Sequence, residues 1–313
     1  MQYPGVGDAI ESDLRTNDTI FGALRLMFPG IDTETITEEL RERLTEELDY
    51  ELEARNQQHF ANHFDGHPFI HVPKVFEQYS TARVLTSELV VGAKFSEVMT
   101  WPQEEKDLAA ETLFRFTFGS IYRLAAFNGD PHPGNYLFHA GGRVTFLDFG
   151  LVKHFDPSDT ALFESLITNM VLDIDYAAFR KTIEDAGLLK PDQPFTDEAI
   201  GRYFSYFYDF VLEDQEYTFD ADYAQAGVKA IFETGGEFGE LKKTLNVPSS
   251  FVVLQRINLG VISLFAQLEA TQNWRRVAEE VWPFVSGFPS TPMGETIERW
   301  GRASQRRPEY QGL

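Results

Sequence analysis

The sequence predicts an α+β fold in which helices predominate and strands are few and short. Apolar residues recur with helical spacing through most of the chain, almost without interruption after Pro157. Runs typical of strands, bounded by turn residues, are confined to residues 69–91 and 136–147. The 313 residues, 43% hydrophobic and 14% aromatic, can form one large or two smaller domains with a real core.

The first clear element is a long helix predicted from about Glu34 to Phe64. Leucines at every fourth position from Leu40 to Leu52 form its apolar ridge. A Gly and a Pro at positions 66 and 68 are expected to end it. Two strands, Phe69–Gln78 and Arg83–Val91, are predicted next, and the Gly at position 92 is a suitable hinge between two lobes.

A second long helix is predicted from Glu104 to Phe127. Two short strands, Tyr136–Phe138 and Arg143–Leu147, follow it around a turn at His139–Gly142. Beyond Pro157 every predicted element is a helix, and the predicted ranges are Ser158–Leu172, Tyr176–Ala186, Asp197–Leu212, Asp220–Phe232, Ser249–Glu269 and Asn273–Val285.

Two short sequence motifs are candidates for a catalytic site. They are D-P-H-P-G-N at residues 130–135 and L-D-F-G at residues 147–150. Asp130, an Asn five positions later and a second Asp thirteen positions after that repeat the spacing of a phosphoryl-transfer site. In such a site the first Asp orients the attacking hydroxyl, while the Asn135 and Asp148 positions hold Mg²⁺ against the nucleotide phosphates.

Either motif alone is a weak signal, because short motifs match by chance and D-P-H-P-G-N could be a surface turn. Their context makes them stronger together. A long helix, the loop, a strand pair and D-F-G follow one another in the order used by the larger lobe of protein kinases. We therefore predict Asp130 as the catalytic residue, with Asn135 and Asp148 as metal ligands.

A polar column lies on the first long helix. Asp49, Glu53 and Asn56 are separated by four and three positions, so their side chains line up on one face. On an amphipathic helix such a column is usually only the solvated face. The spacing by itself therefore does not assign these residues a function.

With the decapeptide E-L-D-Y-E-L-E-A-R-N at Glu47–Asn56, the two motifs resemble the UbiB/AarF family of atypical protein-kinase-like proteins. The opening Q-Y-P-G-V at Gln2–Val6 is similar to the segment that follows the nucleotide-binding Lys in that family. The resemblance runs from the first residues to at least Leu188. It implies a protein-kinase-like fold, binding of Mg²⁺ with ATP or ADP, an ATPase or kinase-like activity, and a role in ubiquinone or related isoprenoid-lipid metabolism.

The resemblance also implies roles for residues of the smaller lobe. Glu53 matches the helix Glu that pairs with the nucleotide-binding Lys, which makes the polar column a predicted site. Glu47 and Asp49 match the E-x-D motif of the family. The segment Glu88–Gly92, including Val90, would be the hinge whose backbone meets adenine. Asn128 departs from the His that many members carry two positions before the catalytic Asp.

The family carries a K-x-G-Q helix, an Ala-rich loop and the strand Lys before Q-Y-P-G-V, whereas this sequence starts at Met1 and has no Lys before Lys74. We therefore expect a partial kinase N-lobe over residues 1–92, without the Lys strand, and a helical C-lobe over residues 93–313. Activity is expected to be impaired, because that Lys positions the nucleotide phosphates. A sheet with fewer strands would expose an edge, which favours a homo-oligomer.

The net charge of −22 argues against nucleic-acid binding, and the absence of cysteine excludes disulfides, Cys-bound zinc and thiol catalysis. We expect a cytoplasmic protein without a transmembrane segment, attached to a membrane at most peripherally. Its expected partners are a nucleotide and a lipid or isoprenoid-related molecule. Two alternatives stay open at this point: a small-molecule phosphotransferase that resembles the aminoglycoside and choline kinases, and a non-catalytic kinase-like scaffold.

Overall fold

The computed structural model describes residues 49–232, 238–246 and 249–303. Its mixture of helices and short strands confirms the predicted α+β class. The described residues divide into two compact units, a smaller one with residues 49–65, 72–91 and 146–152 and a larger one with the others. The segment Gln2–Val6, the first part of the Glu34–Phe64 helix and Glu47 lie outside the described residues. The predicted domain boundary at residue 92 stays a prediction.

In the smaller unit, helix α1 (Tyr50–His63) begins with a side-chain cap. Asp49 Oδ1 accepts hydrogen bonds from the backbone amides of Glu51 and Leu52 at 3.1 and 2.9 Å, which satisfies donors that have no partner within a helix. The buried face of α1 carries Phe60, whose ring lies 5.0 Å from that of Phe149. This aromatic contact fixes the D-F-G segment against the helix.

The two strands predicted between residues 69 and 91 are wrong as continuous strands. Residues 72–91 form an irregular antiparallel hairpin, in which Val75 and Ser87 make an isolated bridge. A single 3₁₀ turn at Glu77–Tyr79 interrupts the pairing, and Pro73 has no backbone N–H to donate. The pairing of the two segments is therefore real, but its ladder is too broken to form a sheet.

The elements that follow α1 along the chain, leaving aside single 3₁₀ and π turns, are β1 (Ile70–His71), α2 (Phe95–Val98), α3 (Gln103–Leu124), β2 (Ala126–Asn128), β3 (Tyr136–Phe138), β4 (Val144–Phe146), β5 (Val152–His154), α4 (Pro157–Ile167), α5 (Tyr176–Asp185), α6 (Asp197–Ser205), α7 (Asp209–Leu212), β6 (Tyr217–Thr218), α8 (Ala221–Phe232), α9 (Gly239–Lys242), α10 (Ser249–Leu268), β7 (Thr271–Gln272), α11 (Trp274–Val281) and α12 (Pro292–Ala303). Strands β1, β4 and β3 form one sheet in that order, and β1 runs parallel to β4. Strands β6 and β7 pair in antiparallel fashion.

Helix α3 forms the centre of the larger unit. It packs against α10 and α11, and the rings of Phe114, Phe265 and Trp274 lie within 6.4 Å of one another at that contact. The helix ends three residues before its predicted end, because Ala125 adopts a left-handed conformation with φ of 45°. The next three residues form the buried strand β2, although the helical pattern predicts that Ala126 and Phe127 belong to the helix.

Three of the six helices predicted after residue 157 are confirmed to within two residues at each end. Three differences have local causes. The predicted Ser158–Leu172 helix changes from α to π geometry at Thr168. The predicted Asp197–Leu212 helix is two helices, α6 and α7, separated by a short turn. Helix α11 ends at Val281, because Pro283 disfavours helical geometry at the preceding residue. In the described part of the chain, no helix is long and apolar enough to cross a membrane.

The turn between β3 and β4 depends on two glycines with left-handed backbones. An added Cβ at Gly142 (φ +78°) would lie 2.8 Å from Leu108 Cβ, whereas one at Gly141 (φ +75°) would meet nothing within 4 Å. We expect Gly142→Ala to lower the free energy of unfolding by about 2–4 kcal/mol. Gly141→Ala is the matched control, because it introduces the same backbone strain without a steric clash. It should lower the free energy of unfolding by about 1 kcal/mol. Equal losses in urea unfolding experiments would contradict the packing argument.

Two histidines of the larger unit share one hydroxyl. His71 Nδ1 and His139 Nε2 each lie 3.1 Å from Thr145 Oγ1. Burial, with added repulsion from Arg143 and His71, lowers the pKa of His139 below its usual value. The imidazole of His139 therefore binds a proton less readily in the folded state than in the unfolded state.

Stability should thus fall as the pH drops below about 6.5 towards the lowered pKa of His139. We expect His139→Gln to flatten the pH dependence of the melting temperature between about pH 5 and 7. His154→Gln is the control, since His154 is exposed on β5. If the melting temperatures of the wild-type protein and of His139→Gln fell equally over this pH range, protonation of His139 would not be the cause of the loss of stability.

Candidate active site

The D-P-H-P-G-N loop follows β2 and holds itself in shape through local hydrogen bonds. The backbone N–H of His132 donates to the Asp130 carbonyl at 2.8 Å, and that of Asn135 donates to the His132 carbonyl at 2.9 Å. The His132 ring accepts a hydrogen bond from Gly134 N at 3.0 Å through Nδ1. This contact of His132 stabilises the conformation of the loop.

The side chains of Asp130 and Asn135 are brought together by this loop. Asn135 Nδ2 donates to Asp130 Oδ2 at 3.0 Å and to the Asp130 carbonyl at 3.2 Å. Because the NH₂ group of the amide faces Asp130, the amide oxygen of Asn135 points away from it. That oxygen makes no hydrogen bond within the described part of the chain. The loop thus presents one carboxylate and one amide oxygen.

Two neighbours set the position of the loop in the larger unit. An added Cβ at Gly260 of α10 would collide with the ring of Pro131, so the helix and the loop are in direct contact there. The side-chain oxygen of Asn128, which is buried, accepts a hydrogen bond from Asp130 N at 3.4 Å. Asn128, which stands where many members of the resembled family carry His, therefore makes a polar contact with the D-P-H-P-G-N loop.

In the smaller unit the D-F-G segment is fixed from the α1 side. Phe149 is fully buried, and its carbonyl accepts a hydrogen bond from Asn56 Nδ2 at 3.1 Å. Asp148 adopts a left-handed backbone with φ of 62°, a conformation that Asp tolerates better than most residues. Its Oδ1 accepts a hydrogen bond from Gly150 N at 3.2 Å. These contacts set the direction of the Asp148 carboxylate.

Glu53 and Asp148 form a pair of neighbouring acidic groups. Burial, and then the negative charge of Asp148, raise the pKa of Glu53 to about 7, while a hydrogen bond from the Phe149 backbone acts in the opposite direction. A carboxyl group held at such a pKa is poised to exchange its proton for a nearby cation. Glu53 and Asn56 of the polar column thus both interact with the D-F-G segment.

The remaining predicted residues have other local roles. Asp49 caps α1, so one of its oxygens is occupied by backbone amides. Glu88 Oε2 accepts a long hydrogen bond of 3.4 Å from Lys74 N. Val90 is half-buried, whereas its neighbours Leu89 and Val91 are 90% and 83% exposed. The predicted contacts of Glu88 and Val90 with a nucleotide, like those of Glu47 and Asp49, stay predictions.

The smaller and larger units each contain part of the predicted site. Asp130 and Asn135 lie together in the larger unit, and Glu53, Asn56 and Asp148 lie together in the smaller one. Among the described residues, no group of three or more His, Cys, Asp or Glu side chains could hold a metal ion. Mg²⁺ needs no such group, since it typically takes one or two protein oxygens and completes its shell with phosphate and water.

Comparison with known proteins identifies similar chains. The ABC1 atypical kinase-like domain matches residues 1–183. An aarF domain-containing protein kinase of Arabidopsis thaliana, described as chloroplastic, is 28% identical over 218 residues, which are 65% of this chain and 28% of the plant protein. The mitochondrial atypical kinase COQ8 of Saccharomyces cerevisiae is 27% identical over 185 residues, 59% of this chain and 37% of the yeast protein.

A solved structure is similar over most of the chain. Rv3197 of Mycobacterium tuberculosis, determined in complex with erythromycin, superposes with a TM-score of 0.72 at 27% sequence identity. The match covers 90% of this chain and 70% of that one. By contrast, the alignments to the plant and yeast proteins span 28% and 37% of those relatives.

Proposed function

Because the chain belongs to the ABC1 atypical kinase-like family and has a kinase-like fold, we propose that it binds ATP or ADP together with Mg²⁺ and acts as an atypical kinase or ATPase. Asp130 is the proposed catalytic residue, and Asn135 and Asp148 are the proposed metal ligands. The relatives named as kinases support this reading at the level of the family.

The observation that carries the proposal is the hydrogen bond between Asn135 and Asp130. It turns the amide oxygen of Asn135 away from Asp130, which leaves that oxygen available to a metal ion, and it keeps the Asp130 carboxylate beside the amide. The same contact orients the Asp130 carboxylate, which can accept a hydrogen bond from a substrate hydroxyl or water and take its proton.

The donor set agrees with the chemistry of Mg²⁺. Asn135 offers an amide oxygen and Asp148 a carboxylate, and both are hard oxygen ligands of the kind that Mg²⁺ prefers. A bound Mg²⁺ would neutralise charge that develops on the phosphates during phosphoryl transfer. The raised pKa of Glu53 supports a cation near Asp148, because a positive charge there would relieve the repulsion between the two carboxylates.

Membership of the family also suggests roles for other residues, and we propose these roles here. Glu53 would pair with a cation in the nucleotide site, and Glu88 and Val90 would contact adenine through their backbone. Glu47 and Asp49 would form the E-x-D motif of the family. We further propose a role in ubiquinone or isoprenoid-lipid metabolism, with a lipid or isoprenoid-related partner.

A melting experiment with nucleotides tests the proposal. We expect ADP or ATP with Mg²⁺ to raise the melting temperature, and the same nucleotides with EDTA to have a much smaller effect. A lack of any Mg²⁺-dependent shift would favour the non-catalytic scaffold. Turnover with choline or an aminoglycoside as phosphate acceptor would instead favour a small-molecule phosphotransferase.

A further inference from the structure

The larger unit contains a cavity of about 130 Å³ that the proposed phosphoryl chemistry does not use. It lies among α3, α4, α5 and α6. Ten of the described residues that line it are aromatic, and no described lining residue is charged. Several of these rings, including Phe114, Phe163 and Phe179, are less than 5% exposed. The walls therefore suit a neutral ring and would penalise an ion.

The size of the cavity limits what it can hold. An engineered apolar cavity of about 150 Å³ in another protein binds benzene. A cavity of about 130 Å³ therefore has room for one six-membered ring with a small substituent. Aromatic walls favour such a ring over a branched aliphatic chain, because offset and edge-to-face contacts add to the burial of apolar surface.

Two phenols and one amide are the polar side chains that line the cavity among the described residues. Tyr122 of α3 and Tyr208, which directly precedes α7, both line it, together with Asn258 of α10. Burial raises the pKa of both tyrosines, and the proximity of Tyr208 and of the Glu164 carboxylate raises that of Tyr122 further. Within the described residues neither hydroxyl forms a hydrogen bond. Phenol hydroxyls in apolar surroundings normally find an acceptor, and both of these phenols line a volume the size of one ring.

We infer that this cavity is a binding site for a small neutral molecule with one six-membered ring and a carbonyl or ether oxygen, which accepts hydrogen bonds from Tyr122 and Tyr208. The ring packs against the aromatic walls. Asn258 offers an additional amide donor at the same cavity. The inference is independent of the proposed nucleotide site, since none of the described residues proposed for that site lines the cavity.

Two probes of matched shape test the inference on the full chain. Acetophenone carries a ring and a carbonyl, and ethylbenzene replaces the carbonyl with a methylene group. We expect acetophenone to bind with a dissociation constant of about 1 mM or lower, measured by ligand-observed NMR. The double variant Tyr122→Phe with Tyr208→Phe should weaken acetophenone binding roughly threefold to tenfold and leave ethylbenzene binding unchanged.

The control is Tyr203→Phe, since Tyr203 is a buried tyrosine of α6 that does not line the cavity. It should leave both affinities unchanged. Val211→Phe, which adds volume inside the cavity, should block both probes, with circular dichroism to confirm that the variant folds. The inference is overturned if acetophenone does not bind, or if the double Tyr→Phe variant binds it as well as the wild-type protein does.

Discussion

Asp148→Asn is expected to weaken Mg²⁺-dependent nucleotide binding by about 100-fold or more, because it removes the charged member of the proposed metal-ligand pair. The substitution should preserve the local backbone. Asn tolerates the left-handed φ of 62° at this position as well as Asp does, and its amide oxygen can still accept the hydrogen bond from Gly150 N. The loss should therefore appear in binding and not in folding.

A fluorescent ADP analogue with Mg²⁺ measures this effect directly. Asp192→Asn is the matched control, because Asp192 is exposed and also has a left-handed φ of 58°. It should bind the nucleotide like the wild-type protein, with the same melting temperature as Asp148→Asn to within a few degrees. If Asp148→Asn retained wild-type affinity in the presence of Mg²⁺, Asp148 would not be a metal ligand.

The largest stability effect is expected from Arg115→Met. Arg115 of α3 contacts Glu111 at 2.7 Å and Glu280 of α11 at 2.6 Å, and all three side chains are at most 8% exposed. Removing the cation leaves two buried carboxylates without their partner. We expect the free energy of unfolding to fall by about 3–5 kcal/mol.

Tryptophan fluorescence during urea unfolding measures this loss, because all four tryptophans lie in the larger unit. Lys181→Met removes an i,i+4 ion pair with Asp185 whose side chains are 75% and 66% exposed. This control substitution should lower the free energy of unfolding by no more than about 0.5 kcal/mol. Similar unfolding midpoints for Arg115→Met and the wild-type protein would show that the buried network does not stabilise the unit.

The sequence predicted those parts of the fold whose signals are local. Helical periodicity located most helices of the larger unit, and the glycines of the turn before β4 marked its position. The failures came from tertiary context. The left-handed turn at Ala125 has no residue signature, since Ala ordinarily continues a helix. Helix α12 was missed because its Pro and two Gly residues weaken the helical pattern.

The candidate site likewise contains some features that the local sequence predicts and others that depend on tertiary contacts. Motif spacing placed Asp130, Asn135 and Asp148 as candidates, and the bond between Asn135 and Asp130 is local enough to follow from the loop. The interaction of Glu53 with Asp148 joins residues 95 positions apart, and only the resemblance to a family suggested a role for it. The Arg115–Glu280 pair and the cavity at Tyr122 join distant segments, which periodicity cannot detect.

Isothermal titration of the full chain with ADP, with Mg²⁺ and then with excess EDTA, tests the central claim most directly. The proposed site predicts saturable binding with Mg²⁺ that weakens at least about tenfold in EDTA, because Asn135 and Asp148 would hold the nucleotide through the metal. Equal affinity in the two conditions, or no heat of binding in either, would contradict a metal-dependent nucleotide site at these residues.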